Sequence, residues 1–210
     1  MSISDSNHSG IITNKSIQEY FFDSVNDAVK NQQIDTSDEI IFYLVNLLTT
    51  FSRSEDLFEY SDDGVSLKPL ALMYTDALSE SIVMERIRIL QKLGDTALFI
   101  SGVFSDSLNK KLVDIDYYIA MGGNAYSSIS NSIRNHDRIA AAQPLFDELT
   151  HRFVDFVDVL SEVAENRSMS TNHDILRLYE VWMRTGSQRA KSLLSRLGID
   201  PVSGSTEYNQ

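Results

Sequence analysis

Apolar residues in this chain recur at three- and four-residue spacings, and no segment alternates apolar with polar over the length of a strand. That period puts successive apolar side chains on one face of an α-helix, whereas a strand would scatter them over both faces. The segment DEIIFYLVNLLTTF, residues 38–51, is apolar on most sides and is expected at the centre of the fold. Only 3 prolines and 9 glycines punctuate 210 residues, too few for a loop-rich β architecture. The sequence therefore predicts an all-α fold: a single-domain antiparallel helical bundle of about six or seven helices, with a C-terminal helix-turn-helix pair packed against its end.

Residues 1–14 are polar and unpatterned and read as a disordered tail, 15–199 as the helical domain, and 200–210 as a second flexible tail. Ile17, Tyr20, Phe21, Ser24, Val25 and Ala28 mark the inner face of a first helix. Thr36 and Glu39 have capping-box spacing and open the second. Residues 53–68 read as an ordered loop with turn chemistry at Asp62-Asp63-Gly64, and Pro69 suits the first turn of the next helix. A helical region follows over 69–108, with a break expected near Ser79, then another over 113–134. Asn135-His136-Asp137 reads as a turn. A fifth region, 138–166, carries the stripe Leu145, Leu149, Phe153, Phe156, Val157, Leu160 and Val163, with Pro144 at its first turn or a kink.

The stretch VDIDYYIAMGGNAYSSIS, 113–130, poses the sharpest local question, because its glycine pair fits either a ligand loop or a helix. Ile115, Tyr118, Ile119, Gly122, Tyr126, Ile129 and Ile133 hold one helical phase straight through Gly122-Gly123, which a phosphate loop would reset. A glycine inside a helix costs about 1 kcal/mol relative to alanine. Close packing against the preceding helix would offset that cost, and Gly94, Ala97, Ser101 and Ser105 form a small-residue stripe there, with Gly102 beside it. The alternatives are a helix break at the pair and a gap that admits a flat ligand. In the last case Asp114, Asp116, Tyr117, Tyr118 and Tyr126 are the candidate ligand-binding residues. Asp114 and Asp116 equally suit a helix start, where acids complement the dipole. Tyr117 and Tyr118 are expected to point to different sides.

Composition removes whole classes of chemistry. The chain has no cysteine, which excludes disulfides, thiolate metal sites and cysteine nucleophiles. No run of about 18 apolar residues is present, and the N-terminus lacks the basic start and apolar run of a signal peptide, so a soluble, cytoplasmic, non-membrane protein is expected. A net charge of −12 disfavours non-specific contact with nucleic acid or anionic membrane.

Glu148 and His151 stand at i and i+3, the spacing at which a carboxylate and an imidazole converge on a metal in carboxylate-bridged bundles. Such bundles use that motif twice, and the other histidines, 8, 136 and 173, have no glutamate three places before them. A solvent-facing helix pair explains Glu148 and His151 equally well. His136-Asp137 and His173-Asp174 are adjacent in sequence and do not face each other on a helix. The chain has no Walker A loop, dinucleotide fingerprint, nucleophile elbow or H-E-x-x-H. No cofactor is predicted.

Charge is unevenly spread. Arg177, Arg184, Arg189, Lys191 and Arg196 face a single acid, Glu180, in residues 177–196, so that segment is +4 and the remainder of the chain −16. These cations would contact an acidic protein partner, nucleic acid, or the chain's own acidic helices. The reading that fits best is a non-enzymatic interaction or regulatory protein, with a protein partner or a second copy as its target. Its rivals are a ligand- or metal-binding protein with a pocket beside the Gly94–Gly102 and Gly122–Gly123 helices, and a DNA-binding regulator acting through 177–196.

Overall fold

A computed structural model describes residues 16–52, 59–61, 64–66, 68–104, 114–134, 139–164, 172–196 and 198–199; for 59–61, 64–66 and 172–177 it describes the backbone alone. The expected tails at 1–14 and 200–210, the turn at 135–137 and Ser105 lie outside the described residues, as do 53–58, 62–63 and 67 of the loop expected over 53–68, with Asp62 and Asp63 of its turn.

The fold is all-α. Among the described residues there are nine α-helices: α1 (Ile17–Asn31), α2 (Asp38–Phe51), α3 (Leu70–Ser79), α4 (Val83–Val103), α5 (Ile115–Arg134), α6 (Gln143–His151), α7 (Phe153–Ala164), α8 (Asn172–Thr185) and α9 (Gln188–Arg196). A 3-10 turn, Ala140–Ala142, precedes α6. The count exceeds the expected six or seven because two phase-continuous regions are divided. The first break, near the expected Ser79, is held by Arg86, whose guanidinium donates twice to the Glu80 carbonyl. The second falls at Arg152, between α6 and α7. Two three-residue strands, Glu59–Ser61 and Gly64–Ser66, pair antiparallel within the stretch read as a loop. At that length no alternation can register in the sequence.

Local chemistry sets the helix ends. Ser16 and Glu19 form a reciprocal capping box at the start of α1. At α2 the expected cap is displaced by one residue: Ser37 accepts the Ile40 N–H, while Thr36 turns its hydroxyl to Glu148. The end of α1 is unusual. Ile34 N–H returns to the Val29 carbonyl and Gln33 N–H to Lys30, the bonding of a glycine-type helix stop, yet the left-handed position is held by Gln33 at φ 55°.

One apolar core joins α1 through α7, with Val25, Leu44, Leu93, Leu98, Ile129, Phe156 and Leu160 fully buried. On α1 the inner face narrows to Val25, Ala28 and Val29, and the expected members Ile17 and Tyr20 are about half exposed (49% and 55%). The C-terminal pair α8–α9, turned at Gly186 (φ 70°), has a small apolar cluster of its own around Leu178, Ala190 and Leu194.

Candidate functional site

The helix α5 runs unbroken through Gly122-Gly123, and α4 packs directly against it. The space beside the glycines is full. A β-carbon at Gly94 would stand 2.5 Å from the Tyr126 ring, one at Gly122 would stand 2.4 Å from the Phe153 ring, and one at Gly102 would stand 2.5 Å from the Leu160 β-carbon. Close helix packing is therefore what these glycines permit, and the gap that a flat ligand would need is occupied by Tyr126, Phe153 and Leu160. Of the four glycines on α4 and α5, only Gly123 faces open space.

The five candidate ligand-binding residues do not converge. Asp114 and Asp116 are exposed, and Asp114 pairs with Arg184 of α8 at 3.1 Å. Contrary to the expectation that they diverge, Tyr117 and Tyr118 meet edge to face with ring centroids 5.5 Å apart, both partly buried. Their α-carbon directions differ, but long aromatic side chains can lean along the helix and close that angle. Tyr126 lies two turns further on, about 12 Å along the axis at 1.5 Å per residue, and is fully buried.

Tyr126 instead belongs to a network that the sequence did not disclose. Its hydroxyl donates to Asp95 Oδ1 of α4 at 2.7 Å, and Tyr43 of α2 donates to the same oxygen. Gln91, one turn before Asp95, donates to the Tyr43 hydroxyl at 3.4 Å. Phe146 of α6 packs against both tyrosine rings. No cation among the described residues faces Asp95. Burial pushes its carboxyl up to about 6, against the two hydroxyls that hold it down. Burial and then the Asp95 charge raise both phenols well above their ordinary value.

Glu148 and His151 have separate partners. The Glu148 carboxylate accepts from Thr36 at 2.5 Å and Ser37 at 3.3 Å and lies 3.7 Å from Arg152, so it anchors the start of α2. His151 is exposed, with Nδ1 2.6 Å from the Asp147 carbonyl. No group of three metal-ligating side chains forms among the described residues.

The cations of the C-terminal pair divide into two sets. Arg184 reaches Asp114, and Arg189 reaches Glu162 of α7 at 3.9 Å. Lys191 and Arg196 are exposed, and the Arg177 side chain lies outside the described residues. The pair is seated on the bundle through Asp158 of α7, whose carboxylate accepts from the Ser187 hydroxyl at 2.7 and 2.8 Å and from the Arg189 N–H at 3.4 Å. Ser187 in turn caps α9 by accepting the Ala190 N–H at 2.9 Å. Burial pushes the Asp158 carboxyl up to about 6, offset chiefly by Ser187. Beside this latch opens a polar cleft of ≈ 690 Å³, framed by Gln32 and Gln33 just past α1, Arg152, Asp158 and Glu162 around α7, and Arg196 of α9.

No family model, no curated protein and no solved structure matches this chain. No helix among the described residues is long and apolar enough to cross a membrane.

Proposed function

We propose that this chain acts by binding another macromolecule, as an interaction or regulatory protein, and not by turning over a substrate. The observation that carries the reading is the contrast between interior and surface. Inside, the glycine helices are packed without a gap. Outside, large apolar side chains stand exposed: Phe42 at 55%, Leu78 at 68%, Ile82 at 61% and Met183 at 66%. Of these Phe42 is grouped, its ring 5.6 Å from that of Phe22, which is 37% exposed, and apolar side chains grouped at a surface and rimmed by polar ones mark contact sites for other molecules. The C-terminal pair adds a second, basic face through Lys191 and Arg196.

The pocket reading loses its location beside the glycines. The DNA reading loses Arg184 and Arg189, which are engaged by the chain's own acids, and a body at −16 repels phosphate. Native mass spectrometry of the untagged protein from its own source tests the proposal. The expected result is chain mass alone, as a dimer, or with a co-purifying protein. A stoichiometric metal or small organic molecule would overturn it and redirect attention to the cleft beside Asp158.

A further inference from the structure

We infer that the outer face of α1 and α2 docks a cationic amphipathic helix of a partner protein. The inference rests on the interaction reading and names one surface and one class of partner for it. Phe22 of α1 and Phe42 of α2 lie ring against ring, centroids 5.6 Å apart, with 37% and 55% of their surface exposed. They floor a groove of ≈ 480 Å³ between the two helices, whose rim includes Gln18, Glu19 and Asp23. A groove between two packed helices is the shape that takes the ridge of a third.

Charge selects the occupant. The two helices carry Glu19, Asp23, Asp27, Asp38 and Glu39, and a single cation, Lys30, in the last turn of α1. All five acids are exposed. A partner helix with leucine-like residues on one face and lysine or arginine flanking it would fill the aromatic floor with the first and meet the carboxylate rim with the second. Its cations would also gain from the faces of two exposed aromatic rings. The chain's net charge of −12 draws such a partner in at long range. A second copy is a poorer fit, because the outer surface of its basic helix α9 offers Lys191, Ser192, Ser195 and Arg196, and no exposed large apolar side chain.

The test uses the full chain and a labelled 18-residue peptide of leucine and lysine in amphipathic helical register, followed by fluorescence anisotropy at low and high salt. A peptide with glutamate in place of lysine is the charge control, and an oligolysine of equal charge is the apolar control. Saturable binding of the leucine–lysine peptide alone is expected. Phe42→Ala is expected to weaken it about tenfold, as removal of a central aromatic contact does, and Asp23→Asn to weaken it severalfold, most at low salt. Leu78→Ala, at the α3–α4 turn, is expected to leave it unchanged. Phe42 is exposed, so its variant keeps the fold, which far-UV circular dichroism checks. No binding at low salt, equal binding of oligolysine, or an affinity indifferent to Phe42→Ala would each overturn the assignment. So would a saturable but weaker dimer contact at this groove, revealed by a Phe42-dependent sedimentation shift without peptide. A co-purifying protein seen by native mass spectrometry that still binds the Phe42→Ala variant would remove this surface and leave the interaction reading standing.

Discussion

Two carboxylates, Asp95 half-buried and Asp158 buried, hold this molecule together in different ways. Asp95 sits inside the bundle and gathers hydroxyls from α2 and α5, helices that also share the main apolar core with it. Asp158 sits at the edge of the bundle and gathers a hydroxyl and an N–H from the start of α9, whose apolar residues belong to a separate small cluster. The same chemistry thus supplements packing in one place and largely replaces it in the other. Where apolar burial is extensive, a polar network fixes the register of helices that would associate anyway. Where it is scant, the polar latch, together with the Arg184–Asp114 and Arg189–Glu162 pairs, carries the docking of the helix pair.

The strongest way to break this contrast is to cut each apolar cluster. Tyr126→Ala removes a fully buried ring packed against Phe146 and Phe153, and is expected to cost the bundle about 3–5 kcal/mol, as core aromatic truncations do. Leu194→Ala removes an equally buried side chain from the small cluster. It is expected to raise amide exchange in α8–α9 while leaving the bundle's denaturation midpoint in place. Should Leu194→Ala lower that midpoint as far as Tyr126→Ala does, the pair and the bundle are one cooperative unit and the contrast fails.

The pH dependence sharpens it next. Both carboxyls titrate near 6 in the folded chain against a reference of 3.8. Folding therefore takes up their protons, and stability from this source is complete below about pH 3.8 and lost as pH rises through about 6. At 1.36 kcal/mol per unit each contributes up to about 3 kcal/mol. Asp95→Asn keeps a carbonyl to accept both tyrosine hydroxyls and cannot ionise. It is expected to flatten the pH dependence of bundle stability between pH 4 and 7 and to gain up to about 3 kcal/mol at pH 7.5, read by urea denaturation. The Asp158 share is local: exchange protection in α9, corrected for intrinsic rates, is expected to fall between pH 5 and pH 7.5 more than protection in α4. Equal loss in both helices would place the two carboxylates in one folding unit.

How legible these features are in the sequence depends on their range. The helices announce themselves through a period of a few residues, and the continuity of α5 through Gly122 follows from phase alone. The Asp95 network does not, because its partners lie 52 and 31 residues away. The available signal is an ionisable residue set in the apolar stretch LGDTALFI, in step with Leu98 and Gly102 and therefore on a packed face. Asp158, within FVDFVDVL, gives the same signal. The cations of 177–196 are legible as a charge excess, but which of them the bundle consumes depends on tertiary contacts with Asp114 and Glu162. The division at Arg152 escapes phase analysis because the apolar stripe Leu145, Leu149, Phe153, Phe156 runs in register across it.

Packing against the glycines offers a finer cut inside the bundle. At Gly102 a new β-carbon would meet the Leu160 β-carbon, and both atoms are fixed to their backbones, so the helices themselves must part. Gly102→Ala is expected to destabilise by about 1–2 kcal/mol, the overpacking cost outweighing the helix-propensity gain. Gly123→Ala, which meets nothing within 4 Å, is expected to stabilise by about 1 kcal/mol. Thermal denaturation of the pair reads both signs against one wild-type curve.

The smallest expected effect probes the border between the two regions. Gln33 holds a left-handed backbone at φ 55° where α1 ends, beside the cleft under α9. A β-carbon in that conformation costs about 1 kcal/mol that glycine avoids. The helix-ending hydrogen bonds of Gln33 and Ile34 come from backbone N–H groups, so Gln33→Gly retains them. If the only role of Gln33 is to end the helix, the substitution is expected to stabilise the bundle by about 1 kcal/mol and to leave exchange in α9 unchanged. The neighbouring Gln32 makes the contact across the border, donating to the Asp158 carbonyl and to Glu162. A gain in bundle stability accompanied by faster exchange in α9 would mean that the strained residue holds Gln32 in place for the latch. The backbone strain at the end of α1 would then serve the docking of the C-terminal pair.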